Sequence, residues 1–167
     1  MLGWLTRGKT PATVHAHCDI PCGIYDPHAA QIAALTVVHI NQLINDLPKP
    51  GPQTTPQERD AYVHKMARYT EVKEEHAEVC KRELRVLWGD YFTADHAKQI
   101  PELHTLFWDA MKAASKARQE IGLPLAEDLL AKVQKIAEIF WKTKGAEVRR
   151  QPSQQKSGGE LVYPVKS

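Results

Sequence analysis

Apolar side chains recur every three or four residues along most of this chain, and that spacing predicts helices rather than strands. The first apolar stripe, from Ile32 to Leu47, comes shortly after Asp26 and Pro27. An acidic cap followed by proline is typical of a helix N-terminus, because proline is preset to helical φ and needs no hydrogen bond there. We therefore expect a first helix over residues 27–47.

A second, longer helix is predicted after the proline-rich segment PKPGPQTTP, which cannot itself be helical. Thr55, Pro56 and Glu58 form the signature of a capping box at its start. Gly89, just past Trp88, is the expected stop.

Two further stripes begin at a proline and end at a glycine, the third over residues 101–122 and the fourth over residues 124–145. Four helices with short links predict an all-α fold, an antiparallel four-helix bundle. The residues that follow, 147–167, are rich in Gln, Ser, Gly and Lys. They bury too little apolar surface to offset the entropy of ordering, so we expect a flexible C-terminal tail.

Composition narrows the class of protein. With 167 residues, 43% of them hydrophobic, the chain can form one domain with its own core. Its 22 basic and 20 acidic residues nearly balance, which argues against a nucleic-acid partner. No apolar run approaches the roughly 20 residues that span a membrane, and an odd count of three cysteines argues against a disulfide framework. We expect a soluble, cytoplasmic protein without a membrane partner.

The stretch HAHCDIPCGIYDPH, residues 15–28, concentrates the candidate chemistry. Cys18 and Cys22 are too few to complete a structural zinc site, and their spacing is not that of a redox C-x-x-C pair. If the chain were cut before His17, the new α-amine and the backbone nitrogen of Cys18 would add two nitrogen donors. Two nitrogens and two thiolates in a plane suit Ni(II) or Cu(II) better than tetrahedral zinc, and the imidazole could approach axially.

The segment HCDIPCGIYDP, from His17 to Pro27, resembles the nickel hook of nickel-containing superoxide dismutases, H-C-x-x-P-C-G-x-Y-D-P at the mature N-terminus. The similarity continues through VLWGDYF, PELH and IFWKTK, up to about Lys144. The family's fold is a four-helix bundle, in agreement with the helices predicted from periodicity.

The resemblance implies an oxidoreductase that converts superoxide to O2 and H2O2 while one nickel ion per subunit cycles between Ni(III) and Ni(II). The implied metal ligands are His17, Cys18 and Cys22, and no organic cofactor is needed. Residues 1–16 would be a leader removed by a processing protease, residues 17–26 the hook and residues 27–146 the bundle. A homohexamer is the implied assembly.

Other hook residues acquire roles through the same resemblance. Tyr25 and Tyr91 are expected at the mouth of the site, where they would limit access to small anions. Asp19 is the family's usual residue and is expected to help hold the hook. Pro21 and Gly23 are expected to shape its tight turn, since proline restricts φ and glycine tolerates unusual φ.

The chain departs from the family at two positions. A glutamate and an arginine that orient the axial imidazole in well-known members correspond here to Ala33 and His76. We expect His76 to take over this role, with Glu75 and Glu78 as alternatives. Cys80, four residues after His76, is expected to be a core residue rather than a ligand.

Two other function classes remain open at this stage. The first is a non-enzymatic protein that stores or delivers nickel or copper through an unprocessed HAHC segment and Cys22. The second is a helical interaction module in which the hook is a relic, although the intact motif argues against it.

Overall fold

The computed structural model describes residues 23–165. Within that range the helices are α1 His28–Asn45, α2 Pro56–Val86, α3 Ala94–Gln99, α4 Leu103–Gln119 and α5 Leu123–Thr143, and the strands are β1 Val148–Pro152 and β2 Glu160–Pro164. A π-helical turn, Leu87–Tyr91, directly continues α2.

The four long helices pack in a ring in the order α1, α2, α4, α5, with α5 closing against α1. Tyr25, before α1, contacts Tyr91, after α2, so these two helices are antiparallel. At the other end, the backbone N–H of Gly122 before α5 donates to Asn41 Oδ1 near the end of α1, at 2.9 Å. The predicted antiparallel bundle is confirmed. The end of the bundle where α1 begins and α5 finishes is called the hook end below.

The core combines small and large side chains from the four long helices. Small residues on α1 and α4 let the helices approach closely, and large side chains from α2, α4 and α5 fill the interior. The small set is Ala30, Ala33, Ala34, Ala110, Ala114 and Ala117, and the large set includes Leu84, Phe107, Leu129, Ile136 and Phe140, all at most 2% exposed. Burying each large side chain contributes about 1.5–3 kcal/mol.

The start of α2 is as predicted. Thr55 Oγ1 accepts from the N–H of Glu58 at 3.3 Å, and the Glu58 carboxylate accepts from the N–H of Thr55 at 2.9 Å. These hydrogen bonds complete a capping box, and the two that the Glu58 carboxylate accepts, from the N–H and the hydroxyl of Thr55, lower the pKa of Glu58. α2 is much longer than its neighbours, and its first buried residue is Lys73, so its N-terminal half carries no buried side chain.

The end of α2 differs from the prediction. Instead of stopping at Gly89, the chain widens into the π-helical turn, in which the N–H of Phe92 donates to the carbonyl of Leu87 at 3.0 Å. The wider turn packs Trp88, Tyr91 and Phe92 against the core. Glycine therefore does not end this helix, because tertiary packing of the aromatic residues continues it.

α4 ends at Gln119, three residues before the glycine expected to stop it. The reason is the buried ammonium of Lys73 on α2, which donates to the carbonyls of Ala117, Arg118 and Glu120 at 2.7, 2.6 and 2.9 Å. A cation at a helix C-terminus satisfies carbonyls that lack intrahelical donors. Burial lowers the pKa of Lys73.

The expected flexible tail is wrong for residues 148–164. β1 and β2 form an antiparallel hairpin with Arg150 opposite Val162, and Leu161 and Val162 are only 1% exposed. The prediction from composition failed because side chains of the helices form hydrogen bonds with the backbone of this segment. These bonds let the hairpin be ordered with few buried apolar residues. The bundle itself ends as predicted at Gly145, whose φ of +73° places it in the left-handed region.

Over residues 23–165, no helix combines the length and the apolar character that crossing a membrane requires.

Candidate metal centre

The sequence-predicted ligands His17, Cys18 and Cys22, together with Asp19, lie outside the described residues. In the described part of the chain, no three or more His, Cys, Asp and Glu side chains come together as a metal-holding group. The structure therefore describes the exit of the predicted hook, from Gly23 onward, and the surface of the bundle to which the hook is attached.

The hook leads into a well-anchored helix. Gly23 has a φ of +71°, a left-handed conformation that other residues adopt only with strain. Pro27 is buried, and the Asp26 carboxylate accepts from the N–H of His28 at 2.7 Å. The helix begins at His28, one residue later than expected, with Pro27 rather than the predicted Asp26 at the N-cap position, and the Asp26 carboxylate bonds the first helical N–H.

The two predicted gating residues are neighbours. The ring of Tyr25 is half-buried against the core, and its centroid lies 5.7 Å from that of Tyr91, with the rings inclined by 55°. Such tilted aromatic contacts stabilise by about 0.5–1.5 kcal/mol beyond their burial. The structure thus brings together a hook residue and a residue that follows α2.

Tyr91 is held rigidly from the other side. Its ring lies 4.4 Å from that of Phe140, and its hydroxyl is 2.7 Å from Thr143 Oγ1. Because the Thr143 hydroxyl donates its single proton to the carbonyl of Phe140, it accepts from Tyr91. Ring packing and this hydrogen bond leave Tyr91 little rotational freedom.

Two residues beside Tyr91 had no predicted role. The ring of His96 stacks on Tyr91 at 5.8 Å, and Lys144 Nζ lies 5.5 Å from the Tyr91 ring centroid. The lysine places a positive charge next to the aromatic pair, which favours the approach of anions. The sequence offered one signal for Lys144, its place at the end of the segment IFWKTK. The nearly neutral net charge of the chain did not indicate a local positive charge.

The two departures from the family pattern lie on facing helices. Ala33 is 2% exposed and brings no polar group to the interior of the bundle. His76 is half-buried, and its Nδ1 donates to the carbonyl of Val72 on its own helix at 2.9 Å. In the neutral ring this bond leaves Nε2 as the acceptor nitrogen.

The alternative acids lie elsewhere. Glu78 forms ion pairs with Arg85 at 3.0 Å and with Arg118 at 3.1 Å on the surface shared by α2 and α4. Glu75 is exposed. These surroundings favour His76 over Glu78 as the residue that replaces the missing arginine.

Cys80 is a core residue. It is fully buried, and burial raises the pKa of its thiol to about 12. Since metals bind the thiolate, a thiol whose burial disfavours the thiolate is a poor ligand.

Known proteins share this architecture and sequence. The family model for nickel-containing superoxide dismutase matches residues 12–144. Superoxide dismutase [Ni] of Streptomyces seoulensis is 39% identical over 135 residues, covering 80% of this chain and 92% of that protein. The Streptomyces coelicolor protein of the same name is 38% identical over 136 residues, with the same coverage of both chains.

Solved structures agree. A crystal structure of nickel-containing superoxide dismutase, partially reduced by X-rays, superposes with a TM-score of 0.67 at 38% identity, covering 78% of this chain and all of that one. A native structure of nickel superoxide dismutase gives a TM-score of 0.66 at 36% identity, covering 77% of this chain and 99% of that one. From its hook motif to the end of its last helix, this chain belongs to the family of nickel-containing superoxide dismutases.

Proposed function

We propose that this protein is a nickel superoxide dismutase that becomes active when its chain is cut before His17. Membership of the family makes it a nickel-dependent oxidoreductase whose substrate is superoxide. The observation that carries the detailed proposal is the complete hook motif from His17 to Pro27, which lies inside the matched residues 12–144.

The donor set fits nickel. His17 would supply its imidazole and, after cleavage, its α-amine, while Cys18 would supply its thiolate and backbone nitrogen and Cys22 a second thiolate. Nitrogen and thiolate donors of this kind suit a divalent ion such as Ni(II). When bound, nickel would supply the electron exchange by which one superoxide is oxidised to O2 and another, taking up two protons, is reduced to H2O2.

The protein's own side chains control access. Tyr25 and Tyr91 form an aromatic wall where the hook joins the bundle, and Lys144 lies against it. We infer that this wall excludes larger reductants while the positive charge attracts small anions. Such exclusion would keep larger redox-active molecules away from the hook, whose thiolates are readily oxidised. Asp19 helps to hold the hook in this proposal.

A homohexamer is part of the proposal. Several large apolar side chains lie exposed, among them Val63 at 63%, Trp108 at 54% and Ile121 at 51%. The N-terminal half of α2 also extends past the buried part of the bundle. In this proposal, such exposed apolar side chains contribute to the contacts between subunits. We also propose a cytoplasmic location, because a reducing cytoplasm would keep the hook thiols available as metal ligands.

The test combines mass analysis with a metal assay on protein from its native host. A mature chain that begins at His17, carries one nickel per subunit and dismutates superoxide supports the proposal. Nickel or copper bound by an intact HAHC segment without turnover would instead support a storage or delivery protein. An active chain that retains residues 1–16 would contradict the processing step.

A further inference from the structure

The hairpin of β1 and β2 is an addition to the bundle that the family comparison does not cover. The matched residues end at 144, whereas the hairpin spans residues 148–164. Both strands pack on α5, and Leu161 of β2 joins the hydrophobic core formed by the helices. The hairpin is therefore part of the folded domain, although the matched family region has no counterpart for it.

Its central attachment is a glutamine of α1. The Gln31 side chain, 0% exposed, donates from Nε2 to the carbonyl of Val162 at 3.1 Å and accepts from the N–H of Val162 at 2.7 Å. The amide thus pairs with β2 as a neighbouring strand would. Removing it would leave a buried donor and a buried acceptor without partners, which is costly.

Other helix side chains bond the rest of the hairpin. Gln134 of α5 donates to the carbonyl of Glu160 at 2.7 Å. Gln42, three turns further along α1 than Gln31, donates to the carbonyl of Ser157 in the hairpin loop at 3.1 Å. The hairpin is thus attached at two well-separated points of α1.

One of these points, Gln31, lies at the hook end of the bundle. The backbone N–H of Gln31 donates to the carbonyl of Pro27 at 3.1 Å, so this residue joins the first turn of α1 to β2. One residue further along β2, the ring of Tyr163 packs on that of His28, with centroids 5.8 Å apart. Asp26, His28, Trp141, Val162, Tyr163 and Pro164 surround a shallow pocket at this junction.

We propose that the C-terminal hairpin holds the first turn of α1 and thereby positions the nickel hook, with Gln31 and Tyr163 as positioning residues. The inference depends on the proposed function in one respect only, namely that the hook binds nickel. First helical turns open easily, because their N–H groups lack intrahelical partners. A metal site works only when its ligands are held closely, so opening of this turn would loosen the nickel.

The test compares variants at the two ends of the attachment. Gln31→Leu and Tyr163→Ala remove contacts between the hairpin and α1 at the hook end of the bundle. Tyr163→Phe keeps the ring on His28, and Gln42→Leu loosens only the loop end. Two readouts are measured: amide hydrogen exchange of residues 31–34 in the nickel-free protein, and the rate at which EDTA removes nickel from the mature protein.

We expect Gln31→Leu and Tyr163→Ala to accelerate both exchange and nickel loss roughly five- to tenfold, the equivalent of one or two lost hydrogen bonds. Tyr163→Phe and Gln42→Leu should match the parent in both. Unchanged exchange at residues 31–34, unchanged nickel loss, or equal effects from Gln42→Leu would each overturn the inference. A parent that bound no nickel would instead refute the proposed function, while the exchange data would still show whether the hairpin holds this turn.

Discussion

The ring of Tyr25, three residues before α1, lies 5.7 Å from the ring of Tyr91, the last residue of the π-helical turn after α2. The contact joins the exit of the hook to the rigid end of the bundle. Tyr91 is itself held by Phe140 and Thr143 of α5. The aromatic wall beside the hook is thus supported by three separate parts of the chain.

Tyr25→Phe tests the gating role. The phenylalanine ring keeps the contact with Tyr91, so this variant removes only the hydroxyl. Product inhibition by H2O2 and sensitivity to added anions such as azide should both change, because a polar group at the mouth of the site is lost. Steady-state assays with and without azide provide the measurement. Kinetics identical to those of the parent would leave Tyr25 as a packing residue alone.

Tyr91→Phe is the companion variant. It removes the hydrogen bond to Thr143, so unfolding should become easier by about 1 kcal/mol. Denaturant titration of the nickel-free protein measures this loss. A variant as stable as its parent would show that the hydroxyl contributes nothing net to holding the wall.

The ligand assignment predicts a contrast among the three cysteines. Cys18→Ser and Cys22→Ser should each abolish stoichiometric nickel binding and dismutation, because hydroxyls do not replace thiolate donors. Cys80→Ala should retain both. Elemental analysis of purified mature protein decides the matter, and nickel retained by Cys22→Ser would refute the assignment.

Cys80 should also respond to pH and alkylation as a buried thiol. Burial holds its pKa near 12, against 9.0 for the free group, so the folded protein keeps a proton that the unfolded chain releases above pH 9. Its contribution to stability is complete below pH 9 and falls as the pH rises toward 12. Stability should therefore decline more steeply over this range in the parent than in Cys80→Ala.

The same burial predicts slow alkylation. Native nickel-free protein treated with iodoacetamide at pH 8 should gain no adduct at Cys80, whereas Cys80 should react in guanidinium. Mass spectrometry counts the adducts. Rapid native modification of Cys80 would contradict its assignment as a core residue.

Lys73→Met tests the capping of α4. Methionine fills a similar volume but leaves the carbonyls of residues 117, 118 and 120 without their donor. We expect a loss of about 2–4 kcal/mol in the free energy of unfolding. Lys98→Met is a suitable control, since Lys98 is 77% exposed and its pair with Asp95 contributes little. Equal effects of the two changes would rule out the capping role.

His76→Ala tests the residue that replaces the family's arginine. If His76 orients the axial imidazole, nickel affinity or turnover should fall by about 10- to 100-fold, the usual effect of losing such a partner. The nickel electron paramagnetic resonance spectrum should change as well. His64→Ala, an exposed histidine on the same helix, serves as the control. Unchanged spectra and turnover in His76→Ala would exclude the role.

Local signals in the sequence were sufficient for much of this structure. The bundle followed from apolar periodicity, and the capping box at Thr55 and the glycine at 145 marked helix ends, because these effects act within one turn of the chain. The hook motif was recognisable from the sequence, since its proposed donors, His17, Cys18 and Cys22, lie close together along the chain. The metal chemistry therefore required no knowledge of long-range contacts.

Other features depended on residues far apart in sequence. Lys73 ends α4 before the glycine that marks its expected stop, and aromatic packing supports the π-helical turn that continues from α2 through Gly89. The hairpin is ordered by Gln31, which lies 131 residues from its partner Val162.

The sequence by itself determined the helices and the candidate ligands, because local backbone preferences and donor chemistry are properties of short segments. Only the tertiary structure decided what holds those segments in place. Contacts between distant parts of the chain, such as that between the rings of Tyr25 and Tyr91, exist only in the folded protein.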